Sequence, residues 1–341
     1  MKSKIKGIIS LLFLVFSIFL IAPQVLADEG GGFSVSPIDP ETGEVQSSYY
    51  DLAVVPGQNL KLQVEIYNSS DKDMKIQVET NTASTNNNGI TSYLKTEEQD
   101  SSLKVAFDKI AKAESEQVEV PANGTAMANI NIELPKEAFE GEVLGGLRFT
   151  EIKTEEEKKQ QKNAVDNNIA YTIGVLLHES DEEIAPEMAL NKVFTEQRNG
   201  RNYISANLQN KAPRIIRELT VKAQVYEKGT DKLSYEASND AMRMAPNSNF
   251  NFGISLENKK FIPGEYTMKI SGTADGVPFD FSKDFTITAK EAKEYNKNSV
   301  FVTEDPKPNY LLYIVLVLLL IIVIFIVWFI QKKRWKNKPL V

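Results

Sequence analysis

The chain has 341 residues, of which 46 are acidic and 39 basic, with one histidine and no cysteine, for a formal net charge of −7. That balance opposes binding to nucleic acid, and the missing cysteines exclude a disulfide scaffold, so each domain must be stabilised by its core. With one histidine and no thiol, neither an HExxH motif nor a zinc-ligand set can be assembled, and no cofactor is expected.

The first residues carry Lys2, Lys4 and Lys6, then an apolar run from Ile8 to Ile21, then the small-residue pattern Val25-Leu26-Ala27. These are the three parts of a secretory signal, so residues 1–27 are expected to be a signal peptide cleaved after Ala27. Residues 28–309 hold all 46 acidic residues but, with three lysines before them and five basic residues after, only 31 basic ones, a net −15.

A first domain is expected over 28–184. Phe33 to Pro37 alternates as a short strand, Tyr49 to Val55 is a second, and Pro56-Gly57 turns the chain. Leu60, Leu62, Val64 and Ile66 alternate with polar residues, and so do Met74, Ile76 and Val78 beyond the turn Asn68–Asp71, which has the form of a hairpin. Asn86-Asn87-Asn88-Gly89 marks an exposed loop. Leu103 to Phe107 is a short strand; Gln117 to Val120 leads to Pro121-Ala122-Asn123-Gly124, after which Ala126, Ala128, Ile130, Ile132 and Leu134 point one way. Glu142 to Ile152 and Ile169 to His178 pair, with the charged segment 153–168 protruding between them; Gly145-Gly146 marks a bulge or a close backbone approach.

A second domain, 185–290, repeats this grammar. Strands are expected over 188–194, 203–208, 219–226 and 249–256, then around Tyr266 to Ile270 and Phe279 to Ile287, with turns at Arg198-Asn199-Gly200, Lys228-Gly229-Thr230 and Pro263-Gly264. Short strands at near-regular spacing predict an all-β fold of two immunoglobulin-like antiparallel β-sandwich domains. Residues 291–309 form a polar stalk.

Tyr310 to Ile330 then runs for 21 residues without a charge, proline or glycine. As a helix it would be about 31 Å long, enough for one transmembrane crossing, and the basic tail 331–341 would stay on the cytoplasmic side. The expected localisation is therefore a single-pass cell membrane protein with its bulk outside.

His178, in an apolar strand, is expected as a sheet residue at a strand end. The acidic runs Glu155-Glu156-Glu157 and Asp181-Glu182-Glu183 read as charged loops.

Several strings, in this order, resemble the WxL-interacting proteins of Gram-positive bacteria. FSVSPIDP at Phe33, YYDLAVVPGQNLKLQVEIYNSS at Tyr49, LGGLRF at Leu144 and IAYTIGVLL at Ile169 are similar to the first domain of that family. APRIIRELTVKAQVY at Ala212 and the segment beginning MRMAPNSNFNFG at Met242 are similar to the second, and the family's own division begins nearer Asn168. The resemblance implies a first domain that binds peptidoglycan and a second that engages a WxL-domain surface protein or a host extracellular-matrix protein. The net −15 leaves little charge attraction for an anionic wall, so the glycan contacts expected are the tyrosine faces of Tyr49, Tyr50 and Tyr93. For the partner, the neighbourhood Asn247, Ser248, Asn249 and Phe250 is expected, by strand addition at a sheet edge. The function expected is a non-catalytic surface adaptor. Its alternatives are a cell-wall-active hydrolase, which would need an acid/base carboxylate pair in a cleft, and a host-matrix adhesin acting alone.

Overall fold

The computed structural model describes residues 32–45, 49–154, 169–301 and, in a last helix, 310–336. The expected signal peptide, residues 155–168 of the charged segment, 302–309 of the stalk and 337–341 of the tail lie outside the described residues.

The first half is a two-sheet sandwich. Its strands are β1 (Phe33–Ile38), β2 (Tyr49–Ala53), β3 (Asn59–Asn68), β4 (Met74–Thr82), the two-residue strands β5 (Ser84–Thr85) and β6 (Thr91–Ser92), then β7 (Ala111–Ala113), β8 (Gln117–Val120), β9 (Thr125–Glu133), β10 (Glu142–Glu151) and β11 (Ala170–His178). One sheet has the order β1-β3-β9-β7 and faces another ordered β2-β11-β10-β4-β8, while β5 and β6 form a separate small hairpin. Period-two alternation places Leu62, Val64 and Ile66 of β3 and Ala128, Ile130 and Ile132 of β9 against Ile76 and Val78 of β4 and Leu147 and Phe149 of β10. Each fully buried aliphatic or Phe side chain contributes about 1.5–3 kcal/mol of transfer free energy.

Three features depart from the expected layout. First, β3 and β4 are not a hairpin: β3 pairs with β1 and β9, β4 with β10 and β8. The turn between them crosses from sheet to sheet, fastened by buried Asn68, whose amide donates to the carbonyl of Lys72 at 2.7 Å and to that of Val120 at 3.2 Å. Alternation specifies which face is buried, not which strand lies alongside. Second, β2 joins β11 in parallel, so the sandwich is not wholly antiparallel. Third, the segment expected as a strand over Leu103 to Phe107 ends instead in a single helical turn, α1 (Phe107–Ile110). The Phe107 ring lies against Gly145, where a Cβ would sit 2.0 Å from it. Gly145-Gly146 is thus a close approach, and the register of β10 with β11 runs through it without a bulge.

The second half contains β12 (Met188–Arg198), β13 (Arg201–Asn210), β14 (Ile216–Glu227), β15 (Leu233–Met244), β16 (Ser248–Ser255), β17 (Gly264–Ala274) and β18 (Val277–Ile287). Sheets β12-β13-β16 and β15-β14-β17-β18 are antiparallel throughout and enclose Ile204, Leu208, Val221, Val225, Phe250, Ile254, Met268 and Ile270. Strand β15 went unread because its middle is exposed on both faces and carries no alternation. The expected stalk begins instead with helix α2 (Ala289–Asn298), opened by a capping box in which Thr288 and Glu291 bond each other's backbone N–H. This helix is part of the second sandwich: Ala292 is buried, Tyr295 packs on Phe261, and Asn296 exchanges two hydrogen bonds with the Phe261 backbone.

The last helix, α3 (Tyr310–Lys336), runs six residues beyond the expected end, since Gln, Lys and Arg continue a helix readily. Its described side chains, Val315 and those of 317–329, are all exposed. Among the described residues no helix is long and apolar enough to cross a membrane.

Tyr50 ties the two sheets of the first sandwich together. Its hydroxyl donates to the Gln63 carbonyl at 2.6 Å and accepts from the Ile38 N–H at 3.1 Å. Burial, reinforced by the Asp39 charge, pushes its pKa up to about 12 against the pull of those two bonds. A raised folded-state pKa means the contribution is intact below the unfolded value of about 10 and is lost as pH rises through the folded one. The first sandwich is expected to hold constant stability up to about pH 10 and to lose it between about pH 10 and 12 in denaturant titrations. Tyr50→Phe should remove that Tyr50-dependent loss and cost about 1–3 kcal/mol at neutral pH, because two buried backbone groups lose their partner.

Candidate functional site

Two features of the described residues concentrate polar chemistry: a groove on the first sandwich and the junction between the sandwiches. The groove follows β4 beyond Gln77, the last residue paired with β8. From Val78 to Thr82 the free side of β4 faces α1 and β7, enclosing a groove of about 440 Å³. Gln77, Glu79, Lys95, Asp108, Lys109 and Lys112 are among its lining residues. Glu79 is held by Arg148 at 3.2 Å, and Thr82 and Gln99 both donate to Asp108. Burial raises the Asp108 pKa, but those hydrogen bonds and nearby Lys109 outweigh it and hold the group below the usual carboxylate range. The groove thus presents amides, hydroxyls and charges of both signs, with Asp108 kept ionised.

The expected glycan tyrosines separate by strand geometry. Consecutive residues of β2 face opposite ways, so Tyr49 is 55% exposed while Tyr50 is fully buried and has no face to offer a sugar. Tyr93 is half-buried over Gly146, with its hydroxyl toward Gly174, beside which Tyr49 also lies. Tyr49 and Tyr93 therefore share one outer surface, on a floor of glycines.

The junction is built around the β5–β6 hairpin. Its tip, the Asn-rich stretch expected as an exposed loop, inserts between the edges of β15 and β16. Gly89 O accepts from Arg243 N–H at 2.8 Å, and the Asn87 side chain accepts from Asn251 N–H at 2.9 Å. Gly89 is at φ +69°, and a Cβ there would lie 2.5 Å from the Met242 side chain. Behind the tip, Thr85 Oγ1 accepts from Ala245 N–H, and Ser248 Oγ donates to Ala245 O. The 2.6 Å contact between the two hydroxyls is therefore Thr85 donating to Ser248.

The residues expected to meet a partner are consumed here. Ser248 is buried in that hydroxyl pair, and Phe250 lies in the second core. Asn249 donates to Asp100, and Asn247, at φ +43°, donates to Ser102 and to the Lys211 carbonyl. Gln209 adds a second bond to Asp100 at 2.7 Å. On the other side Glu142 accepts from Ile215 N–H and pairs with Arg217 at 3.2 Å, while its own N–H donates to Pro213 O. Ala83, Leu144 and Ala245 form a small apolar cluster between them. In the Asn-rich stretch Asn87 and Asn88 remain exposed as expected, while Gly89 is buried against Met242 of the other half of the chain, a contact no local pattern signals.

His178 ends β11, with Asp51 at 3.3 Å and Asp181 at 3.6 Å. Among the described residues no cluster of His, Asp and Glu is arranged to hold a metal ion.

Burial pushes the Asp100 carboxyl up, but hydrogen bonds from Ser102, Asn249 and Gln209 overcome this and leave it below the usual range. Its contribution is present above the ordinary carboxylate pKa and is lost as pH falls below that value and through the lowered folded-state one. Asp100→Ala is expected to weaken the junction by about 1–2 kcal/mol, read as an earlier unfolding transition, with no added loss on acidification. Gly141→Ala should be more severe: the residue is at φ +72° and a Cβ would sit 2.1 Å from Pro213 O, so calorimetry should show the two halves unfolding separately.

Two family models match the chain: the peptidoglycan binding domain of WxL Interacting Protein over residues 33–151 and the host binding domain of WxL Interacting Protein over 160–297. The second match includes β11, although β11 pairs with β10 and β2 of the first sandwich. No curated protein matches the chain. Among solved structures, a chain of the chaperone–tip adhesin complex of CFA/I fimbriae biogenesis is 14% identical, with 75% of this chain and 98% of that one covered at a TM-score of 0.32. The E. coli chaperone DraB is 13% identical over 66% and 89%, at 0.26, and the Pseudomonas aeruginosa CupB2 chaperone 11% identical over 67% and 92%, at 0.26. At these scores no argument rests on the likeness. The two consecutive domain matches, in the order expected from the sequence, make this chain a member of the WxL Interacting Protein family.

Proposed function

We propose that this protein is a membrane-anchored, non-catalytic cell-surface adaptor of a Gram-positive bacterium. Its first sandwich holds peptidoglycan, its second holds a WxL-domain surface protein or a host matrix protein, and α3 holds the whole in the membrane. The observation that carries this reading is the groove beside β4, where amides, hydroxyls and balanced charges suit a polymer of amides, hydroxyls and carboxylates. A glycan hydrolase would need a carboxyl with a raised pKa as its acid. Asp108 is shifted the other way, and Glu79 is neutralised by Arg148. Tyr49 beside the glycine floor is the natural secondary contact.

The domain limits that go with this reading are 28–184 for the wall-binding part and 185–290 for the partner-binding part. The uncharged stretch 310–330 supports the anchor, since 21 apolar residues match the hydrocarbon thickness and the basic residues that follow resist translocation.

Sedimentation of the protein with purified sacculi tests the wall site. Reversing Lys109 and Lys112 together to Glu should reduce binding about tenfold or more, whereas changing salt from about 50 to about 500 mM should alter wild-type binding far less, because the groove has no net charge excess. Undiminished binding by the reversed variant would remove the groove from the reading. For the anchor, Leu318→Asp and Ile322→Asp should each cost about 2.5–3.5 kcal/mol of insertion, moving protein from the membrane pellet to the supernatant after wall digestion.

A further inference from the structure

Strands β15 and β16 are edges of opposite sheets on one flank of the second sandwich, joined at the junction by the turn 245–247. Close to that turn, the space between them is taken by the chain's own hairpin, which bonds Arg243 of one edge and Asn251 of the other. Farther from the junction the space opens into a groove of about 300 Å³. Tyr235, Ile254 and Leu256 line it, with Ser234, Glu236 and Ser255 beside them.

The backbone of β16 is addressed to this groove. Its ladder with β13 runs unbroken from Ser248 to Ser255. Alternate residues of an antiparallel strand direct their N–H and C=O to opposite sides. Asn251 N–H points away from β13, to Asn87, so the N–H groups of Gly253 and Ser255 point away from it too. Leu256, of the other parity, donates back to the Asn202 carbonyl. Among the described residues Gly253 N–H and Ser255 N–H have no partner. Arg198 lies over Gly253 and its Nη2 donates to the Asn251 carbonyl at 2.8 Å, so the edge left open begins at the Gly253 N–H. Strand β1 carries Pro37, and β15 is interrupted by register shifts, but β16 has neither a proline nor a bulge. The Tyr235 hydroxyl donates to no group among the described residues, and Leu233 at the groove is 42% exposed.

We propose that an extended segment of a protein partner adds as a strand beside β16 at Gly253–Ser255. One of its apolar side chains would rest on Tyr235, Ile254 and Leu256, and one of its carbonyls would accept from the Tyr235 hydroxyl. The occupant follows from continuity: the β5–β6 hairpin already meets both edges with backbone groups a few residues away, so the flank is a receptor for extended chain that this molecule fills only in part. The inference rests on the adaptor reading of the second sandwich and places its partner at the end of this flank away from Asn247 and Ser248.

The test uses the full-length chain in detergent and a purified WxL-domain protein as probe. Amide hydrogen exchange of Gly253 and Ser255 is expected to be fast in the free chain and slowed on addition of the probe. Ser255→Pro, which deletes the outward N–H without touching the ladder to β13, should weaken binding about tenfold or more, while Ser255→Ala should bind as the wild type does. Binding that leaves both amides fast and survives Ser255→Pro overturns the strand site and spares the adaptor reading. Absence of binding overturns both. A concentration-dependent dimer that protects the same amides without probe, and that Ser255→Pro abolishes, would assign the edge to a second copy and overturn the partner assignment.

Discussion

The buried hydroxyl pair of Thr85 and Ser248, with the Ala245 N–H and carbonyl completing its bonds, is the contact on which the joint between the sandwiches depends. Neither hydroxyl has water to turn to, and an unmatched buried donor costs about 1–3 kcal/mol, so each half of the chain requires the other at this point. The rest of the junction reinforces it from both sides. Asp100 collects Asn249 and Gln209, Glu142 collects Ile215 and Arg217, and the glycines at 89 and 141 permit backbones to approach where any side chain would collide. No disulfide could do this work in a chain without cysteine, and the charged and hydroxyl bonds take that place.

Much of the fold was legible because period-two alternation reports burial directly. Leu60 to Ile66, Ala126 to Ile132 and Phe250 to Leu256 each face a core as their spacing requires. What alternation cannot report is pairing. The Asn68 turn has hairpin composition, yet the Asn68 side chain, at the end of β3, bonds the Lys72 carbonyl of the turn and the Val120 carbonyl of β8 in the facing sheet, and the chain crosses the sandwich there. The middle of β15, Ser238 to Ala241, is exposed on both faces and has no buried side to record, which interrupts the alternation at the two ends of the strand. Helix α2 was signalled by Thr288 and Glu291 three residues apart, a capping box that a polar composition concealed.

The candidate site was harder to read than the fold, for a related reason. Tyr49-Tyr50 looks like a pair of aromatic faces, but neighbouring residues on a strand cannot share a surface, and only one of them is outside. Asn247 to Asn249 had the composition of a free polar turn and is instead the seat of the other half of the chain. The groove beside β4 left no local mark because it is assembled from β4, α1, β7 and the stretch 95–99, distant in sequence. Contacts between halves are the information that a single strand's residues do not carry.

The attachment of the last described residues before α3 has a mechanical consequence. Val300 N–H and Ser299 Oγ both donate to the Gly200 carbonyl, Phe301 lies under Arg201, and the Tyr295 carbonyl takes Gln197. Tension drawn through α3 thus enters the second sandwich at the β12–β13 turn, at the end of β13 remote from the joint. From there it runs lengthwise along β13 to Asn210, whose amide holds the carbonyls of Arg214 and Ala245. Load directed along a strand is shared by all its cross-strand bonds at once, whereas load across a strand opens them one after another. A protein that holds a wall on one side and a membrane on the other would be pulled in the direction in which this sheet resists as a unit.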